Sequence, residues 1–166
     1  RTGNFSCGNE KLNQLYSNVI WGQRGNYIDI PTDCPQRDER LGWTGDAQIF
    51  CGTANFNMDT AAFYSKYLHD MLLEQRELNG SAPHFVPDIT MAAARRKGET
   101  PMGFGACAWS DAATIIPWNN YLYFGSKVQL AREYENMKRW TDYIVTRDEG
   151  MCGGRRLWAC DFHYGD

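Results

Sequence analysis

Leu12, Leu15, Tyr16, Val19 and Ile20 recur at spacings of three and four, which places them on one face of a helix from about Asn9 to Gln23. The same period returns in Ala61, Tyr64, Leu68, Met71, Leu72 and Gln75, so a second long helix follows Asp59 as its cap and stops at Gly80. Between them, Asp46 can cap a shorter helix through Ala47 to about Asn55. Ser110 and Asp111 offer caps for another helix that runs to Phe124 and ends on Gly125, with a kink expected at Pro117. Val128, Ala131, Tyr134, Met137 and Ile144 mark a last helix ending near Asp148 to Gly150.

Two stretches break this pattern. Arg24 to Gly45 carries Pro31, Pro35, Gly25, Gly42 and Gly45 and reads as an extended loop with room for a short strand at Tyr27 to Ile30. Ser81 to Ala108 has no period and contains Pro83, Pro87 and Pro101. A loop that long inside a domain suggests a functional loop over a cleft. The inventory is about five helices with no strand set able to build a sheet, so the fold class is all-α. Antiparallel helices with long loops at one end resemble layers of a helical barrel more than a four-helix bundle, whose connections are short.

Composition narrows the partners. The 166 residues are 43% hydrophobic and 22% charged, which places the chain among folded globular proteins rather than disordered ones. A formal net charge of −3 gives no positive field for nucleic acid or an anionic membrane surface, and no apolar run approaches the length of a membrane span. A neutral partner fits better. Six cysteines at 7, 34, 51, 107, 152 and 160 show no CxxC pair and no Cys/His spacing suited to zinc, so no metal is expected and free thiols are the simplest reading. Cytoplasmic and secreted settings both stay open.

The chemistry concentrates between Asp33 and Asp46. Within these fourteen residues lie four carboxylates, two arginines and Trp43, in a loop that leads into a helix N-terminus. Repulsion among Asp33, Asp38, Glu39 and Asp46 would make one of them hold its proton, while Arg37 and Arg40 would keep others ionised. Acid-catalysed glycoside hydrolysis uses such a set: one carboxylic acid protonates the leaving oxygen, and others bind sugar hydroxyls beside an aromatic face. A structural or solvated ion-pair network is the competing reading of the same residues.

The unbroken run of 26 residues from Trp21 to Asp46, WGQRGNYIDIPTDCPQRDERLGWTGD, resembles the signature of bacterial and fungal α-L-rhamnosidases of glycoside hydrolase family 78. Weaker echoes follow in order: PHFVPD at 83–88, WSDAATIIPW at 109–118, and YENMKRWTDYI at 134–144. The second echo reads Trp-Ser-Asp where the family usually has Trp-Gly-Asp.

The resemblance implies an (α/α)6 barrel of paired helices, of which 1–166 would be the N-terminal part, and an inverting hydrolysis of terminal α-L-rhamnose without metal or organic cofactor. It makes Glu39 the general acid. Asp33 and Asp46 would bind rhamnose hydroxyls with Arg37 in support, and Trp43 and Trp109 would line the apolar side of the sugar. A core aromatic role is the alternative for both tryptophans. Asp111 is open between sugar contact and a helix cap. The family's general base, a Glu from the second half of the barrel, is assigned to no residue here, and Asp88, Asp161 and Asp166 do not match its setting. Gly165-Asp166 is similar to a family Gly-Asp-Trp cut before its Trp. About five helices cannot close such a barrel, so a chain this short should expose inner apolar surface and self-associate. Another helical-barrel glycosidase, or a silent sugar-binding or structural fragment, are the alternatives.

Overall fold

The computed structural model describes residues 2–99 and 105–156. In them the chain forms α1 (Glu10–Asn26), α2 (Thr44–Asn57), α3 (Ala61–Glu77), α4 (Ile89–Lys97), α5 (Ala112–Phe124) and α6 (Lys127–Met151). The all-α expectation holds, with six helices among the described residues rather than about five. The addition is α4, inside the stretch read as loop. Asp88 starts it by accepting from the amides of Thr90 and Met91, and Gly98 ends it in the left-handed region. Its run Ala92-Ala-Ala-Arg-Arg-Lys97 is a good helix former but has no apolar period, so periodicity misses it. The strand expected at Tyr27 to Ile30 is instead one isolated bridge between Tyr27 and Pro31.

The core lies where α3 meets α2, α5 and α6. Tyr64, Tyr67, Leu68, Met71 and Leu72 form the buried stripe of α3. They meet small residues, Ala47, Cys51 and Ala54 on α2 and Ala112 and Ala113 on α5, which let the helices approach closely. Trp140 and Tyr143 on α6 close the cluster.

Buried amide pairs fix the register between helices. Asn57 Nδ2 on α2 donates to Gln23 Oε1 on α1 at 2.9 Å, and Asn55 Nδ2 donates to Asn120 Oδ1 on α5 at 3.1 Å. On α6, Asn136 Nδ2 donates to Gln75 Oε1 at 3.1 Å and to the Leu68 carbonyl at 2.8 Å, while Gln75 Nε2 returns a bond to the Asn136 carbonyl at 3.2 Å. These bonds form only at one relative position of the helices, so sliding would strand buried polar groups.

The helices divide by charge. α1, α3 and α6 carry charged faces, whereas α5 has no charged residue and α2 has only Asp46. Both uncharged helices still present apolar side chains to solvent: Ile49 is 82% exposed on α2, and Trp118 and Leu122 are 48% and 61% exposed on α5. A helix apolar on every side is the type found buried on every side. Pro117 sits inside α5, on its buried side.

Cys7, Cys34 and Cys51 are free thiols, but Cys152 is disulfide-bonded, which corrects the expectation of thiols throughout. A sparse cysteine count does not forbid a single bridge. Cys160, Asp161 and Asp166 lie outside the described residues.

Gln75→Leu would leave the Asn136 amide buried with one partner fewer, so urea unfolding should show a loss of about 1–3 kcal/mol. A loss below about 0.5 kcal/mol would contradict the register role of the pair.

Candidate active site

The long connections 27–43 and 78–111 meet at one end of the helices, and the site is where they join. Thr44 N–H donates to the His84 carbonyl at 2.8 Å and Val86 N–H donates to the Gly42 carbonyl at 2.9 Å, a two-bond antiparallel splice centred on Trp43 and Phe85. From below, Tyr67 Oη donates to the same Gly42 carbonyl at 2.8 Å, and Thr44 Oγ1 donates to the His84 carbonyl at 2.8 Å. Gly42 is required here, because a Cβ would come within 2.3 Å of the Val86 carbonyl oxygen.

Asp33 closes the loop that precedes the splice. Its N–H donates to the Leu41 carbonyl at 3.1 Å and its Oδ1 accepts from Leu41 N–H at 2.9 Å. The segment between them is thereby held as a tight excursion that turns through Arg40 at φ 56°. Glu39 projects from it, half-buried, with Oε1 accepting from Trp43 Nε1–H at 3.0 Å and Oε2 at 2.7 Å from the Arg37 guanidinium. The Cys34 sulfur and then the Glu39 carboxylate push the Arg37 pKa up. Trp43 stands edge-on to Phe85 with ring centroids 5.0 Å apart.

Asp46 lies in the first turn of α2, not at its cap. The cap position is Trp43, which makes no side-chain capping bond. Partial burial raises the Asp46 pKa, with the charges of Asp33 and Glu39 adding and its own backbone N–H opposing. Trp109 packs flat over Gly45, where a Cβ would sit 3.0 Å from its indole nitrogen. Asp46 and Trp109 share the wall of a cavity of about 670 Å³ that extends past Gln48 to Tyr27 and α1.

Asp111 occupies the cap position of α5 without capping it. Its Oδ2 accepts from Ala108 N–H at 2.8 Å and its Oδ1 from Trp140 Nε1–H at 2.9 Å. It thus braces the segment carrying Trp109. Asp33, Glu39, Trp43 and Arg37 gather at the splice, with Asp46 beside them in the first turn of α2 and Trp109 packed against Gly45, while Asp111 braces the Trp109 segment.

Residues that the sequence reading passed over do much of the holding. Gln48 Nε2 donates to the Ala108 carbonyl, fixing the residue before Trp109. Thr44 and Phe85 form the splice. PHFVPD at 83–88 was the available signal for Phe85; Gln48, one turn after Thr44, carried none. Asp33, Cys34 and Glu39 place possible ligand atoms within 4.8 Å of one another, the nearest approach to a metal set among the described residues. The Arg37 cation on Glu39 and the Leu41 amide on Asp33 already use part of that donor set.

A family model described as the bacterial alpha-L-rhamnosidase 6 hairpin glycosidase domain matches residues 1–166. The chain belongs to this rhamnosidase family. An alpha-L-rhamnosidase of Formosa agariphila is 46% identical over 138 residues, covering 83% of this chain and 14% of the relative. One from Streptomyces avermitilis is 37% identical over 150 residues, covering 90% of this chain and 14% of the relative. Among solved structures, native alpha-L-rhamnosidase from Aspergillus terreus superposes with a TM-score of 0.75 at 42% identity, over 86% of this chain and 15% of that one. The Streptomyces avermitilis enzyme complexed with L-rhamnose gives 0.75 at 35% identity, over 87% of this chain and 13% of that one. The chain thus spans a small fraction of these rhamnosidases' length, and the all-helical architecture matches their six-hairpin domain.

Gly42→Ala should force the Val86 backbone away from α2. We expect a loss of roughly 1–3 kcal/mol in unfolding free energy and a changed near-ultraviolet circular dichroism from the Trp43–Phe85 pair. An unchanged spectrum would show that the splice tolerates the methyl group.

Proposed function

We propose that this chain supplies the acid side and much of the sugar-contacting wall of an inverting α-L-rhamnosidase. The observation that carries the reading is Glu39, fixed by Trp43 and Arg37 on a half-buried loop with Asp33 beside it and Asp46 at the start of α2. Family membership supplies the sugar, since the relatives are named alpha-L-rhamnosidases and one neighbour was solved with L-rhamnose.

In this mechanism Glu39 gives its proton to the glycosidic oxygen as the bond to the anomeric carbon breaks. A water on the opposite face attacks that carbon and delivers its own proton to a base. The base stands roughly 6.5–9.5 Å from the acid in inverting enzymes, and we assign it to a carboxylate outside these residues. Asp88 is unsuited, because its carboxylate is engaged in capping α4. Asp33 and Asp46 accept from rhamnose hydroxyls, Arg37 donates, and the faces of Trp43 and Trp109 cover the apolar side of the deoxysugar. Asp111 contributes by holding the Trp109 segment.

The exposed apolar residues of α2 and α5 have a matching explanation. They form an inner face that further hairpins of the domain would cover. By itself the chain should therefore self-associate. Sedimentation of the 166-residue chain is expected to show dimers or larger species, reduced when Ile49, Trp118 and Leu122 are replaced by Gln. A stable wild-type monomer would contradict this.

Glu39→Gln in the polypeptide that completes the domain should cut kcat about 10²-fold or more on alkyl rhamnosides, whose leaving groups need a proton. On rhamnosides with nitrophenol-type leaving groups the loss should be much smaller. Equal losses on both would refute the acid role.

A further inference from the structure

Glu74 is a half-buried carboxyl on α3 with no place in the proposed chemistry. Its Oε1 accepts from Asp88 N–H at 2.9 Å, and its Oε2 is buried without a hydrogen-bond partner among the described residues. Among the described residues, the ion pairs of α3 do not include it. Along α3, Asp70 is paired with Lys66 and Glu77 with Arg95 of α4. On the facing segment stand Asp88, whose carboxylate caps α4, and half-buried His84. Burial pushes the Glu74 pKa up to about 7; the bond from Asp88 N–H opposes it, and the charges of Asp88, Asp70 and Glu77 add smaller rises. A carboxyl kept in such a place has a structural cost at neutral pH, so what it holds is of interest.

It holds one end of the strap 82–88. The strap is tied at its other end by Ser110 Oγ, which donates to the Ala82 carbonyl at 2.6 Å, and in its middle by the splice to Gly42 and Thr44. Phe85 projects from that middle against Trp43, and Trp43 donates to Glu39. The backbone of the strap thus joins the Asp88 amide held by Glu74 to Phe85, and contacts continue from Phe85 through Trp43 to the Glu39 carboxyl.

We propose that Glu74 is a positioning residue: by pinning the Asp88 end of the strap to α3, it sets where Phe85 presses on Trp43, and so how Trp43 presents Glu39. The charged carboxylate is the stronger acceptor for Asp88 N–H but repels the Asp88 side chain, so gain or loss of its proton changes the tension on the strap. The coupling makes the orientation of Trp43 sensitive to pH near neutrality. Its meaning for catalysis rests on the acid role proposed for Glu39, whereas the coupling itself does not.

The test uses spectra of the polypeptide that completes the domain, labelled with nitrogen-15 in Asp and Trp, from pH 5 to 9. The Asp88 amide resonance should move downfield with a midpoint near 7 as Glu74 ionises, and the Trp43 indole N–H should move with the same midpoint. Both steps should vanish in Glu74→Gln, which keeps an acceptor but cannot ionise. In Phe85→Leu the Asp88 step should persist while the Trp43 step shrinks at least about twofold. A Trp43 indole that stays still while Asp88 titrates overturns the proposal, and this outcome needs only the wild-type polypeptide. So does a Trp43 step that survives in Glu74→Gln. Neither result bears on whether the completed enzyme cleaves rhamnosides, so failure of the coupling is distinguishable from failure of the functional reading.

Discussion

The site depends on two backbone hydrogen bonds. Thr44 N–H to the His84 carbonyl and Val86 N–H to the Gly42 carbonyl join segments about 40 residues apart, at the end of the helices where the long connections lie. Thr44 is also the first residue of α2, so one splice fixes both the helix start and the strap crossing it. The strap offers no side-chain cap to α2. It offers a backbone carbonyl instead, which satisfies one of the first amides of the helix and leaves the Trp43 side chain free to face Glu39. The carboxylates can be crowded because the frame beneath them is rigid: Tyr67 Oη reaches the Gly42 carbonyl from the buried face of α3, and the helices under it are locked in register by amide pairs.

The same frame accounts for the distribution of charge. The outer faces of α3 and α6 carry most of the ion pairs, such as Arg76 with Glu135, and these surface pairs contribute little to stability. α2 and α5 are free of such pairs and pack through Ala47, Cys51, Ala54, Ala112 and Ala113. Their remaining apolar side chains point away from the described core, which suits helices belonging to the interior of a longer six-hairpin domain. In the function proposed above, the carboxylates of the 33–46 loop hold a neutral sugar by its hydroxyls beside an indole face.

How much of this could be read from the residues follows from the range of the interactions. The long helices were legible because their apolar stripes repeat locally, as in Tyr64, Leu68 and Met71. The crowding of Asp33, Arg37, Glu39 and Trp43 was legible because they are near neighbours in one loop. The cap assigned to Asp46 was misplaced, since α2 begins three residues earlier, at Thr44, on a carbonyl from the strap, a partner about 40 positions away. α4 escaped because three alanines and three basic residues carry helix propensity without periodicity. The holding roles of Gln48, Phe85 and Glu74 are long-range contacts, and residue types alone do not announce them. For Asp111, left open between sugar contact and a helix cap, the side chain makes no capping bond and instead accepts from Ala108 N–H and Trp140 Nε1–H, the latter a partner 29 positions away.

The central claim is that the loop from Asp33 to Asp46, held on this splice, is where the deoxysugar meets its acid. The most direct measurement is a crystal structure of the completed domain with L-rhamnose bound. The account predicts the sugar within hydrogen-bond distance of Asp33 and Asp46, an indole face of Trp43 or Trp109 against it, and the Glu39 carboxyl beside the anomeric oxygen. Rhamnose bound at a distance from this loop, with Glu39 touching only Trp43 and Arg37, would contradict it.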